Sequence, residues 1–183
     1  METPVPLPVT KILDLLLDAV CVVDEAGNYV YLNAAFERIF GYTPGEMVGR
    51  PMMDLVHPED RERTRQTVAG VLAGELREGF ENRYIRKDGR VVDVMWTARR
   101  APDGQLRIGV ARDITERKRG ERIQVALYAI SEAAHAAEDL VELFERLHRI
   151  IGGLMPAGNF HVALHDANRG ELAFPYHQDE RAP

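Results

Sequence analysis

Residues 105–122 read Gln-Leu-Arg-Ile-Gly-Val-Ala-Arg-Asp-Ile-Thr-Glu-Arg-Lys-Arg-Gly-Glu-Arg. The first half alternates as a strand does, with Ile108 and Val110 on one face. It runs into a charged helical stretch with no glycine or proline at the join. Asp113 stands at that join and Glu116 three residues later, the spacing at which two side chains satisfy opposing free N–H groups at a helix start. Thr115 adds a hydroxyl that can hold the angle between helix and sheet. A strand joined directly to a capped helix is a mechanical coupling, because whatever deforms the sheet tilts or rotates the helix. The pattern predicts a module that passes a signal on rather than a self-contained catalyst, with Asp113, Thr115 and Glu116 as its coupling residues.

Upstream, residues 80–86 and 91–99 alternate on either side of Lys87-Asp88-Gly89-Arg90, and Pro102-Asp103-Gly104 returns the chain through Leu106. Asp-Gly between alternating segments is a strong hairpin signal. In residues 91–99, Val92, Val94, Trp96 and Ala98 form one set, but Val91 and Met95 make the other set partly apolar too. The pattern leaves the inward face of that strand open.

Nearer the N-terminus, residues 12–17 read as a short amphipathic helix, 19–24 as a buried strand, Glu25-Ala26-Gly27-Asn28 as a turn and 29–32 as the returning strand. Asn33 is placed to cap a helix over 34–40 that Gly41 ends, and Thr43-Pro44-Gly45-Glu46 starts another. His57-Pro58-Glu59-Asp60 opens a longer helix that reaches Ala73. Two strands, several short helices and three strands without a long crossover predict a five-stranded antiparallel sheet in an α+β domain.

Downstream the period changes. Ile123, Leu127, Ile130, Ala134 and Ala137 follow a 4, 3, 4, 3 spacing, a heptad seam of two to three repeats that predicts a parallel homodimer. Ile12, Leu13 and Leu16 are expected to add dimer contacts or to cover the outer sheet face. A second helix carries Leu140, Phe144, Leu147, Ile151 and Leu154, and residues 160–164 and 171–176 form a hairpin around a turn at 166–170. Two helices and one hairpin make too little sheet to cover their apolar faces, so this unit is expected to be truncated or completed by a partner.

The 183 residues suit one domain and part of a second, and 45% hydrophobic with 28% charged residues is an ordinary globular composition. A net charge of −6 argues against nucleic acid as a partner, which needs a concentrated positive footprint. No apolar run is long enough to span a bilayer, and the N-terminus lacks the basic and apolar regions of a signal peptide. The single cysteine, Cys21, excludes an internal disulfide and fits a reducing compartment, so a cytoplasmic location is expected.

Several segments together resemble a PAS domain over residues 10–117, after a lead-in at 1–9. They are the hairpin at 22–33, Ala-Phe-Glu-Arg-Ile-Phe-Gly-Tyr (35–42), Gly-Glu-Met-Val-Gly-Arg-Pro (45–51), Leu-Val-His-Pro-Glu-Asp-Arg (55–61), Arg-Lys-Asp-Gly (86–89) and Asp-Ile-Thr (113–115). A signalling helix at 114–135 follows. Residues 123–183 resemble the first part of a GAF domain, through Leu-Tyr-Ala-Ile-Ser-Glu-Ala-Ala (127–134), Asp-Leu-Val-Glu-Leu-Phe (139–144) and Asn-Phe-His-Val-Ala-Leu-His-Asp (159–166). PAS followed by GAF is similar to the input half of bacterial sensor histidine kinases and diguanylate cyclases. The resemblance implies a non-catalytic sensor with an output domain in cis or on a partner protein. It also implies a role in coupling core to linker for the Asp-Ile-Thr element.

The same resemblance implies a pocket between sheet and short helices, drawing on Phe36, Ile39, Phe40, Met47, Leu55, Tyr84, Val94 or Met95, and Trp96. Such residues can hold a flat ligand, or fill a core that senses nothing and serves dimerisation alone. No cofactor is expected. Flavin photochemistry of the LOV type needs a cysteine in the helix after Asn33, which reads Ala-Ala-Phe-Glu-Arg, and haem of the oxygen-sensing type needs a histidine in the helix holding 61–71, which has none. Non-covalent FAD is compatible with Trp96, and an unidentified small ligand stays open. His57 reads as a turn residue, His161 and His165 as a solvent- or partner-facing pair without a third metal ligand, and His135 and His148 as surface residues. No nucleophile–base pair or phosphate-binding glycine loop stands out.

Overall fold

The computed structural model describes residues 8–102 and 104–179. Met1–Leu7 of the lead-in, and Asp103 of the Pro102-Asp103-Gly104 turn, lie outside the described residues. The chain divides between Glu116 and Arg117 into two units.

In the first unit, helix α1 (Val9–Asp14) precedes a hairpin of β1 (Ala19–Val23) and β2 (Tyr29–Leu32). Helices α2 (Ala34–Phe40) and α3 (Pro44–Met47) follow, then 3-10 turns at Met52–Asp54 and Pro58–Asp60 and helix α4 (Arg61–Leu72). Strands β3 (Arg77–Ile85), β4 (Val91–Arg100) and β5 (Arg107–Asp113) complete it. The five strands form one antiparallel sheet in the order β2-β1-β5-β4-β3, as expected of the α+β architecture.

The core lies between one face of this sheet and the helices. Ala35, Phe36, Ile39 and Phe40 form the apolar stripe of α2 and are all buried. Gly41 ends that helix at φ 79°, where its N–H donates to the Glu37 carbonyl. On β4 the inward set is Val92, Val94 and Trp96, while Val91 is exposed. On β5 it is Arg107, Gly109 and Ala111, so Ile108 and Val110 belong to the opposite face.

Three local expectations are corrected. Helix α1 ends at Asp14, and the Asp14 carboxylate accepts from the Ala34 N–H (2.9 Å), taking the capping role expected of Asn33. The fully buried Asn33 side chain instead accepts from the Val20 N–H and donates to the Leu13 and Asp18 carbonyls, which fastens the segment before β1 onto α2. The helix expected to open at His57 begins as a 3-10 turn and becomes α-helical only at Arg61.

The second unit takes in the greater part of helix α5 (Thr115–Ala136), then α6 (Leu140–Gly152) and a hairpin of β6 (Phe160–Asp166) and β7 (Glu171–Gln178). Asp139 caps α6 by accepting from the Glu142 N–H. On α5, Ala126 and Ala133 are buried, Ile130 is half-buried, and Ile123 and Leu127 are exposed. His148, expected at the surface, is tucked against the hairpin. Its ring stacks on Phe160 (centroids 4.7 Å apart), and its nitrogens meet the Tyr176 hydroxyl (3.0 Å) and the Ala157 carbonyl (2.7 Å). His161 and His165 are exposed.

Candidate functional site

The register of three strands opens a space in the core. Gly109 on β5 stands opposite Cys21 on β1 and opposite Ala98 on β4, so the inward face carries three small residues in a row. Above them lies a cavity of about 70 Å³, roofed by Thr64, Thr67, Val68 and Val71 of α4 and walled by Tyr29, Phe80, Tyr84 and Trp96. Gly109 is required there: a methyl group on it would stand 3.0 Å from the Cys21 sulfur and 3.1 Å from the Trp96 ring. Burial pushes the Cys21 thiol up to about 12, so it is neutral and unreactive at ordinary pH.

The wall is apolar almost throughout, yet three lining residues bury polar atoms that have no hydrogen-bond partner: the Tyr29 hydroxyl, the Trp96 indole N–H and the Arg107 Nε–H. All three residues are at least nine-tenths buried. Native proteins pair the great majority of such groups, and each unpaired one costs about 1–3 kcal/mol. Arg107 Nη2 donates to the backbone carbonyl of Asp24 at 3.2 Å, and the Asp24 carboxylate acts on the guanidinium through space. The Asp24 carboxylate is turned to the Asn28 N–H, whose hydrogen bond holds its pKa below the usual value. Burial lowers the Arg107 pKa, but a guanidinium remains charged at any physiological pH.

Helix α4 is held over the cavity by polar contacts to β3. The buried Asp60 carboxylate accepts from the Arg83 backbone N–H (2.7 Å), Nε (3.1 Å) and Nη2 (2.9 Å). The Arg83 guanidinium thereby holds its pKa down to about 2. One turn on, Asn82 donates to the Thr64 hydroxyl, which donates to the Asp60 carbonyl.

Of the expected pocket residues, Tyr84 and Trp96 line the cavity. Phe36, Ile39, Phe40, Met47, Leu55 and Val94 are buried in the core but do not border it. The rings of Tyr29, Phe36, Phe40, Tyr84 and Trp96 form a chain with successive centroids 4.5–5.5 Å apart, and Phe36 and Phe40 in its middle are fully buried. Arg107, Tyr29 and the α4 residues lie outside the set that the PAS resemblance implies. The legible signal was the set of small residues Cys21, Ala98 and Gly109, which leaves a gap in an otherwise bulky face.

At the strand–helix join, Asp113 accepts from the Thr115 N–H at 2.8 Å, two residues on. Thr115 in turn accepts from the Asp93 N–H of β4 at 3.0 Å, and the Ile114 N–H donates to the Asp93 carbonyl at 2.9 Å. Ile114 is buried beside them. The start of α5 is therefore bonded to β4 as well as continuous with the central strand β5. Sequence spacing did not show this, because Asp93 lies on a different strand.

Residues 13–119, more than half of the chain, match the family described as PAS fold. The sensor histidine kinase TmoS of Ectopseudomonas mendocina is 24% identical over 149 residues, 76% of this chain and 15% of that protein. The probable diguanylate cyclase DgcE of Escherichia coli (strain K12) is 30% identical over 114 residues, 58% of this chain and 10% of that protein. The chain thus spans a small fraction of the length of these relatives. Among solved structures, the PAS domain of an HTR-like protein from Haloarcula marismortui is 26% identical, with a TM-score of 0.51 over 58% of this chain and 88% of that one. Among the described residues no helix is long and apolar enough to cross a membrane, and no three His, Cys, Asp or Glu side chains converge as a metal site would require. On fold, register and these matches together, the chain belongs to the PAS fold family.

Proposed function

We propose that this chain is the sensory input part of a signalling protein, in which a small ligand in the cavity alters the sheet and thereby the attitude of α5. The observation that carries this reading is that cavity and junction share two strands. Trp96 and Ala98 line the cavity on β4, the strand whose Asp93 holds Thr115 and Ile114. Arg107 and Gly109 line it on β5, which ends at Asp113. A ligand moves such an equilibrium only by binding one arrangement better than the other, and a cavity bordered by both strands provides that difference.

In this reading residues 123–183 are the opening part of a GAF unit. The output, a histidine kinase or diguanylate cyclase, lies elsewhere in cis or on a partner, as the kinship with TmoS and DgcE supports. The chain itself catalyses nothing, works in the cytoplasm, and pairs with a second copy along Ile123, Leu127 and Ile130.

The test fills the cavity genetically. Ala98→Leu places a larger side chain where the ligand would lie, and amide hydrogen exchange in the first turn of α5 should change relative to wild type. Asp113→Ala in the same background should abolish that difference. Identical α5 exchange in wild type and Ala98→Leu, with the substituted protein folded, would refute coupling and leave a dimerisation module whose core senses nothing.

A further inference from the structure

The cavity also specifies a class of ligand, an inference that rests on the sensory reading above. Its size is the first constraint. An apolar cavity of about 150 Å³ holds the six carbons of benzene, so about 70 Å³ holds roughly three or four non-hydrogen atoms. Flavins and haem are far larger. The second constraint is the wall, where Val23, Val68, Val71, Phe80 and Ala98 present hydrocarbon. The ligand therefore carries an apolar body.

The third constraint is the sign of the unpaired polar groups. Indole N–H and guanidinium N–H groups donate and never accept, and the Tyr29 hydroxyl can donate as well. A ligand that satisfies all three presents acceptors. Arg107 adds a charge: it is 7% exposed, its hydrogen bond goes to a neutral backbone carbonyl, and the Asp24 carboxylate acts on it through space without a hydrogen bond. A buried cation is ordinarily paired with an anion, because desolvating it alone is expensive. We propose that the cavity binds a short-chain monocarboxylate, with its carboxylate on Arg107 and the Trp96 indole N–H, and its hydrocarbon tail beneath α4. The polar atoms barely break the apolar surface, so binding turns the Arg107 side chain from the Asp24 carbonyl toward the ligand. That movement is made on β5, the strand that leads to the junction.

Trp96 is the chain's single tryptophan and lines the site, so its emission reports occupancy directly. The full chain is titrated with sodium acetate, with acetamide as the neutral isostere and sodium chloride as the ionic-strength control. The expected result is a saturable change in Trp96 emission with acetate, absent with acetamide and with chloride. Loss of one partner of a buried charge pair predicts at least about thirtyfold weaker acetate binding in Arg107→Gln. Arg107→Lys, which keeps the charge, should lose less and serves as the readout if the glutamine protein does not fold. Equal binding of acetamide and acetate would overturn the carboxylate assignment while leaving a ligand-binding cavity. No saturable response to either probe would overturn the assignment, and an unchanged α5 in Ala98→Leu would then separately remove the sensory reading.

Discussion

Replacing Asp60 by asparagine tests whether the cavity's roof is held electrostatically. The carboxylate receives two N–H groups of the Arg83 guanidinium and one backbone N–H, and its side chain is 8% exposed. Arg83 is the main cause of its depressed pKa, about 2 against an ordinary 3.8. At about 1.4 kcal/mol per unit, a shift of that size corresponds to at most ~2.5 kcal/mol. Arg83 is itself 36% exposed, so solvent screening reduces the expected contribution to about 1–2 kcal/mol. Because the folded pKa lies below the unfolded one, this stabilisation is fully present above about pH 4 and is lost as pH falls toward 2. Thermal unfolding followed by Trp96 emission should show Asp60→Asn melting about 3–8 °C below wild type at pH 6.5, with the gap shrinking to roughly a third of that by pH 2.5. Equal melting temperatures at pH 6.5 would refute the reasoning. So would a gap that persists undiminished at pH 2.5, because protonation of the unfolded carboxyl has by then removed most of the linked stabilisation.

Gly109→Ala should destabilise the first unit by about 1–3 kcal/mol in chemical denaturation, since the new methyl meets the Cys21 sulfur and the Trp96 ring; an unchanged midpoint would mean the sheet yields there. His148→Ala removes a ring stack and two hydrogen bonds, and should speed amide exchange in β7 several-fold while leaving β1–β5 unaffected. Wild-type exchange in β7 would show that the hairpin is held by other contacts. If the exposed Ile123 and Leu127 seat a second copy, sedimentation at tens of micromolar should show a dimer that Leu127→Asp converts to monomer. A wild-type monomer at that concentration removes the seam.

The sequence by itself determined the order of elements and the family. Those signals are local: alternation, Asp-Gly turns, a glycine after an apolar stripe, and the Asp113–Thr115 element at the end of β5. Local reading also picked residues that are buried, but not which of them border open space. Phe36, Phe40 and Met47 were expected around a ligand and instead fill the core, because their rings and side chains close on one another. Only the tertiary register put Cys21, Gly109 and Ala98 side by side and so left a gap. The same register turned Arg107 inward at the start of a strand whose apolar residues, Ile108 and Val110, pointed a sequence reader to the other face. It likewise placed Asp93 against Thr115, a contact spanning two strands. Short-range periodicity tells which face a residue shares with its neighbours in the chain. Which residues of other strands that face meets depends on strand pairing, and the cavity and the junction are both made there.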